Sequence, residues 1–313
     1  MKSLLLALGF AMFSFSVAFA AEPKTDESVQ TLIDDANSKL KAGKTKAACR
    51  AFEKAVEISE GRSYEAQLGL ASARLKAKDP AGAVAPALAA EKLGTNDPMW
   101  SAAAFLTGLA LYQSQPTDPA ALAQAAASLE RSIQLAPDQA TPARVTLGFV
   151  YKSLRQPEKA AAQLREALAR LAPSSPMRRE ARIGLCTLRA EHPELAPSSA
   201  DSPIDKDQLK NVKMPVKLHT PNPQYTEEAR EAGVQGVFVA LATIDREGCI
   251  VNLKTLKGLG AGMEQMAIQT MRQWVFEPAT LKGEPRDVFY QLAISFTSES
   301  ASSISSETPD PPF

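Results

Sequence analysis

Between residues 237 and 244 apolar side chains fill both faces of a strand-length run, with Val237, Val239 and Leu241 alternating with Phe238, Ala240 and Ala242. A run of this kind predicts a strand covered on both sides. Asp245-Arg246-Glu247-Gly248 then predicts a tight hairpin, with Gly248 supplying the positive φ, and 250–256 is the returning strand. Met263, Met266, Ala267, Met271 and Trp274 recur near helical spacing, which predicts a helix with one apolar face that stops before Pro278. After the Gly283-Glu284-Pro285 turn, Val288, Tyr290, Leu292, Ile294 and Phe296 alternate with Phe289, Gln291, Ala293 and Ser295, a final strand. With a short helix ending at Gly233, three antiparallel strands and two helices make a small α+β domain.

Upstream the period changes. Ala48, Ala83, Ala125 and Ala160 are each followed four residues later by Phe52, Ala87, Leu129 and Leu164, and seven residues later by Ala55, Ala90, Ser132 and Ala167. A unit of about 34 residues therefore recurs, lengthened once by a loop at 113–119. Each unit has an upstream helix, at 29–41, 64–76, 100–112 and 142–154, and breakers at Gly61, Pro98, Pro137 and Pro173 separate the units. A single helix pair cannot bury its apolar face, whereas stacked pairs share a core and leave a concave wall. The fold class expected is an all-α helical solenoid followed by the small α+β domain, with 177–189 as the helix that closes the solenoid.

The ends set the boundaries. Lys2, an apolar run at 4–19 and the small-x-small pattern Ala18-Phe19-Ala20 predict a secretory signal peptide over 1–20. The run falls short of the roughly 20 residues of a membrane span. Residues 21–190 are read as the helical array, 191–212 as a linker because 193–203 is rich in Pro and Ser, 213–297 as the α+β domain, and 298–313 as a disordered tail. The 35 basic and 35 acidic residues balance, which argues against a nucleic-acid partner. Between Lys152 and Arg189 basic residues dominate, a surplus suited to an acidic peptide or an anionic envelope surface and equally to solvated helix faces. Cys49, Cys186 and Cys249 lack metal or redox spacing and read as buried thiols, with one bridged pair allowed in an oxidising compartment.

Catalytic chemistry finds little support. His192 and His219 have no Cys, Asp or Glu at ligand or triad spacing, so no catalytic residue, metal ligand or cofactor is expected. The glycine-rich stretch from Gly258 to Gly262 lacks a following Lys-Ser/Thr and lies outside a βαβ unit, so it reads as a turn rather than a phosphate loop.

Two resemblances add to this reading. The repeat resembles the tetratricopeptide repeat (TPR), best in its fourth copy with Leu147, Gly148, Tyr151, Ala160 and Ala167, and less well in the first, where Asp35 and Lys39 stand at usually apolar positions. It implies that first helices line the concave groove, presenting Asn37, Lys41, Lys76, Phe105, Tyr112, Phe149 and Lys152. The stretch from Pro221 to Phe296 resembles the carboxy-terminal domain of TonB and TonB-like periplasmic proteins. It does so through the Pro-Gln-Tyr lead-in, Gly233-Val-Gln-Gly236-Val, Ile244-Asp-Arg-Glu-Gly248 and Trp274-Val-Phe-Glu-Pro278-Ala. That resemblance implies a partner-binding edge, with an extended peptide or outer-membrane receptor segment added beside the last strand. Its contacts would be Asn222, Pro223, Gln224 and Tyr225 together with Arg286, Val288, Tyr290, Leu292 and Ile294. A homodimer through the same sheet edge is a further use. Thr226 departs from the Pro usual in the family after the Tyr, which leaves the helix start less firmly set.

The function expected is a non-enzymatic, soluble periplasmic scaffold for protein or peptide partners. The alternative is a membrane-anchored energy transducer for TonB-dependent transport, coupled to an inner-membrane motor. The missing Pro-rich spacer and the cleavable amino terminus favour the scaffold. A proline at Leu292 is expected to abolish peptide capture by removing an edge donor.

Overall fold

The computed structural model describes residues 27–197, 203–204, 212–260 and 262–296. The signal peptide, most of the linker and the tail read from the sequence lie outside these. The chain divides into two compact units, one ending at Arg178 and the other starting at Arg179.

The first unit holds four helical hairpins: α1 (Glu27–Lys41) with α2 (Thr45–Ile58), α3 (Tyr64–Lys76) with α4 (Pro80–Leu93), α5 (Asp97–Ser114) with α6 (Pro119–Leu135), and α7 (Thr141–Ser153) with α8 (Pro157–Arg170). Local chemistry sets the helix starts. Ser63, Asp79, Asn96 and Asp118 each accept a hydrogen bond from a first-turn N–H, and proline stands in the first turn of α4 to α8. The repeated Ala and Ser132 positions are all buried. They let the helices of a pair close up on small partners, since a Cβ at Gly108 would lie 2.9 Å from the Ala125 carbonyl oxygen and one at Gly148 2.7 Å from Leu164 Cγ. First helices touch the first helices of the next pair, α1 with α3, α3 with α5 and α5 with α7. The unit is the TPR-like solenoid that the repeat predicts.

Among the described residues, the second unit contains three antiparallel sheets. β4 (Ile250–Lys257), β3 (Gly236–Ile244) and β8 (Val288–Phe296) form the largest, in the order β4-β3-β8. β2 (Val216–His219) pairs with β5 (Val275–Glu277), and β1 (Val212–Lys213) with β6 (Thr280–Leu281), which pairs in turn with β7 (Glu284–Pro285). The three long strands are those predicted, whereas the five short ones carry no alternation long enough to read. The core lies on one face of the large sheet, where Phe238, Ala240, Ala242 and Ile244 meet Leu292, Ile294, Met263, Ala267, Met271 and Trp274. On the other face Val237, Val239 and Leu241 are only half-buried, so the strand predicted to be covered on both sides is fully covered on one.

Two readings of the sequence need correction. The first concerns α9 (Pro176–Glu191), expected to close the solenoid. Its Arg178 does donate to the Leu168 and Leu171 carbonyls at 2.7 and 2.6 Å. From Arg179 onward, however, the helix belongs to the sheet unit. Arg189 pairs with Asp245 at 2.6 Å and Glu247 at 2.7 Å, Arg182 pairs with Glu277 at 3.2 Å, and Arg179 donates to the Leu218 carbonyl at 2.8 Å. The second concerns the cysteines: Cys186 and Cys249 form a disulfide of 2.04 Å beside buried Val275, and Cys49 alone is free. Repeat-like amphipathicity does not reveal which surface a helix will cover. Arg182 and Arg189, two of the arginines counted in the basic surplus, are buried, so part of that charge faces protein rather than solvent.

Candidate partner-binding site

The hairpin between β3 and β4 fixes the sheet's geometry. Asp245 accepts the Glu247 and Cys249 N–H groups at 3.0 Å each, while the Asp287 carboxylate accepts the Arg246 N–H at 2.9 Å. Gly248, at φ +84°, faces the Phe276 carbonyl of β5, and its own carbonyl accepts the Phe276 N–H at 2.9 Å.

β8 is the outer strand of this sheet, paired with β3 from Gly236↔Phe296 to Ile244↔Val288 without a break in register. On its outer side, pairing among the described residues is confined to Val288, where Ile204 forms a parallel bridge and donates its N–H to the Asp287 carbonyl at 2.9 Å. Ile204 is itself buried, so a residue read as linker is anchored at the start of the edge. Successive residues of a strand turn their backbone groups to opposite sides. The outward Asp287 carbonyl therefore sets the phase: Phe289, Gln291, Ala293 and Ser295 direct N–H and C=O away from the sheet, and Tyr290, Leu292 and Ile294 direct theirs toward β3.

This phase redistributes the predicted contacts. Val288, Leu292 and Ile294 are core side chains, and Tyr290 is half-buried with its ring 6.2 Å from Phe276. Burial pushes the Tyr290 hydroxyl pKa upward. Arg286 spends its N–H on the Ala279 carbonyl at 2.9 Å and its guanidinium on Glu284 at 3.1 Å. The outward set was missed because side-chain alternation tells which face a residue occupies, whereas the direction of its backbone needs a pairing partner. A proline at Leu292 would consequently remove an inward donor and break the fold, so it cannot test the edge by itself.

The predicted lead-in lies at the far end of β8. Tyr225 stands edge-on to Phe296 with ring centroids 5.5 Å apart and donates to the Val234 carbonyl at 3.3 Å, Pro223 is buried, and Asn222 and Gln224 are exposed. Thr226, the departure from the family's proline, caps α10 (Glu227–Glu231) by accepting the Ala229 N–H at 3.1 Å, which sets the helix start by another means. At the glycine-rich turn before α11 (Met263–Met271), the Glu264 carboxylate lies against Gly258, where a Cβ would come within 1.6 Å of Oε1. The turn is occupied by an acid of its own chain.

On the solenoid the predicted groove residues are spread along all four first helices. Asn37 and Lys41 are exposed on α1, and Lys76, Tyr112, Phe149 and Lys152 are half-buried on α3, α5 and α7. Phe105 packs against the buried cluster around Leu75, Ala83 and Leu106. Tyr112 shares a hydrogen bond with Ser153 of the next first helix, and burial raises its hydroxyl pKa. Burial also lowers the Lys76 ammonium pKa. Phe105 and Tyr112 are thus partly committed to holding the wall together.

His219 on β2 gives a pH prediction. Burial first, and the positive charge of Arg179 second, lower its pKa below the ordinary 6.5. The unfolded chain binds this proton more tightly, so acid favours unfolding. The sheet unit is expected to lose stability as pH falls below about 6.5. His219→Gln should flatten that part of the profile of urea midpoint against pH, and an unchanged slope would refute the assignment.

Comparison with known proteins places residues 221–298 in a match to the family described as Gram-negative bacterial TonB protein C-terminal. A comparison with curated proteins finds no match. Among solved structures, the chain is similar to a MamA protein at 20% identity, covering 53% of this chain and 84% of that one with TM-score 0.44. It is also similar to TTC0263, a TPR protein of Thermus thermophilus, at 22% identity, covering 52% and 82% with TM-score 0.43. A third likeness is to MamA 41-end of Desulfovibrio magneticus RS-1, at 18% identity, covering 55% and 89% with TM-score 0.45. Among the described residues no helix is long and apolar enough to cross a membrane.

Proposed function

We propose that this chain is a non-enzymatic scaffold of the Gram-negative envelope, whose sheet unit captures an extended peptide or receptor segment along β8 while its helical array holds a second protein. One contrast carries the reading. Natural sheets guard their edges with charge, proline and bulges. β4 has Lys254, Lys257 and two breaks in its register with β3, whereas the nine residues of β8 contain no charge, no proline and no bulge. Among the described residues, β4 carries such protection and β8 beyond the Ile204 bridge does not. A disulfide in the sheet unit supports an oxidising compartment such as the periplasm, and removal of residues 1–20 would be checked by the intact mass of protein from its native envelope.

Gln291→Pro tests the edge. Its N–H points outward and its side chain lies on the half-exposed face, so proline removes a donor that β3 does not use. Circular dichroism should remain that of the parent while capture of extended peptides by the full chain falls at least about tenfold, the equivalent of roughly 1.4 kcal/mol. Undiminished capture would exclude the β8 edge. Sedimentation of the same pair of proteins checks the competing use of the edge, self-association: a parent dimer that becomes monomeric in the variant would assign the edge to a second copy.

A further inference from the structure

We infer that the α1–α2 hairpin carries a contact surface for an anionic bilayer, made by Lys41, Lys44, Lys46, Arg50 and Lys54 and recognising the phosphates of lipid headgroups. The inference takes nothing from strand capture at β8 and uses the proposed envelope location only as the source of a bilayer. From Lys39 to Lys54 the chain has six basic residues and one acid, Glu53, although its overall charge balances. The five named cations are all exposed, and among the described residues none of them has an ion-pair partner. Nearby acids are already engaged: Asp35 pairs with Lys39 at 2.5 Å, and Glu53 reaches Arg74 on α3 at 2.9 Å. Lys41 and Lys44 flank the turn at Gly43, and Lys46, Arg50 and Lys54 follow at intervals of four, on one face of α2.

This charge works against the helix that carries it. Cations in a first turn meet the positive end of the helix dipole, and like charges four residues apart repel. α2 has Lys46 in its first turn and no acid there, and its N-cap Lys44 makes no side-chain cap bond. The helices α3 to α6 start instead on Ser63, Asp79, Asn96 and Asp118, each accepting a first-turn N–H. The basic residues of α2 are thus not there to hold the fold. Between Lys41 and Lys54 no large apolar side chain is exposed, so the surface lacks the aromatic and apolar anchors on which a protein partner draws. A bilayer needs none, because each Lys or Arg close to anionic headgroups adds attraction that fades within a Debye length. Four of the five are lysines, compact charges on flexible stems that suit headgroups in no fixed array.

The test is co-sedimentation of the full chain with vesicles of phosphatidylcholine alone and of phosphatidylcholine with equimolar phosphatidylglycerol. It is repeated on the quintuple variant Lys41→Gln/Lys44→Gln/Lys46→Gln/Arg50→Gln/Lys54→Gln and on Lys254→Gln/Lys257→Gln, which removes exposed cations of β4. The parent is expected to bind only the anionic vesicles and to leave them in about 0.5 M salt, where the Debye length falls to a few ångströms. The quintuple variant should bind them at least about tenfold more weakly, and the β4 variant as the parent does. Its helical circular dichroism should persist to an equal or higher urea concentration, because the charges oppose α2. A lowered urea midpoint would make them part of the fold and overturn the inference. So would no binding by the parent, undiminished binding by the quintuple variant, or an equal loss in the β4 variant. Parent binding that is equal on both vesicles and resists salt, as insertion of the apolar run at 4–19 would give, also overturns it. Retention on immobilised polyglutamate without binding to vesicles would assign the surface to an acidic peptide and overturn the bilayer. None of these outcomes touches the capture of peptides at β8.

Discussion

Gly248→Val is expected to leave the sheet unit unfolded while the helical array keeps its helical signal. The residue sits at φ +84°, a region costing a non-glycine residue roughly 1–2 kcal/mol and a β-branched one more. A Cβ there would also lie 2.0 Å from the Phe276 carbonyl oxygen. That oxygen belongs to a backbone that cannot retreat: Phe276 is fully buried, paired with Lys217 on β2 and hydrogen-bonded through its N–H to Gly248 itself. Strain and overpacking together should cost about 4 kcal/mol or more, a large part of the roughly 5–15 kcal/mol that holds a typical domain folded. The chain has two tryptophans, Trp100 in the array and Trp274 in the sheet unit, so a Trp100→Phe background isolates the second. Trp274 emission at the wavelength of exposed indole, before any denaturant is added, is the expected result. A parent-like urea midpoint would mean that the β3–β4 turn can be rebuilt.

The second large effect is expected from removing the disulfide. Cys186 and Cys249 are separated by 63 residues, and closing a loop of that size in the unfolded chain is worth about 4 kcal/mol in the chain-entropy account. Replacing both by alanine, which leaves no buried hydroxyl, should lower the Trp274 urea midpoint by a corresponding amount and make it indifferent to added reductant. The parent should match the variant only when reduced. A midpoint unchanged by the double substitution would show that the buried contacts of Arg182 and Arg189 with Glu277, Asp245 and Glu247 hold α9 without covalent help. Cutting one of those ions from its partners would then be the costly change, because it leaves an uncompensated buried charge.

What the sequence discloses follows the range of the forces involved. The long strands, α11, the Gly248 turn and the column of small residues at Ala48, Ala83, Ala125 and Ala160 are set by local periodicity and backbone freedom, and all are legible. The docking of α9 was not, because an amphipathic helix after four helical pairs carries no mark of whether its next neighbour is a helix or a sheet. Arg189 and Cys186 find partners near Asp245 and Cys249, far away in sequence. The five short strands escape for a related reason: two to four residues cannot display a period. On β8 the residues proposed first, Val288, Leu292 and Ile294, are those whose alternation is strongest, and strong alternation marks the core. The outward-facing set became visible only when the Ile204 bridge fixed the phase of the strand.

The sulfur bridge between α9 and the β3–β4 turn also changes how tension would travel. A pull on anything held at β8 passes through β3 to Cys249 and across to Cys186 on α9, without following the backbone from 187 to 235. A protease nick between residues 198 and 202 should therefore leave both fragments travelling as one species on a non-reducing gel, to separate only when a thiol is added.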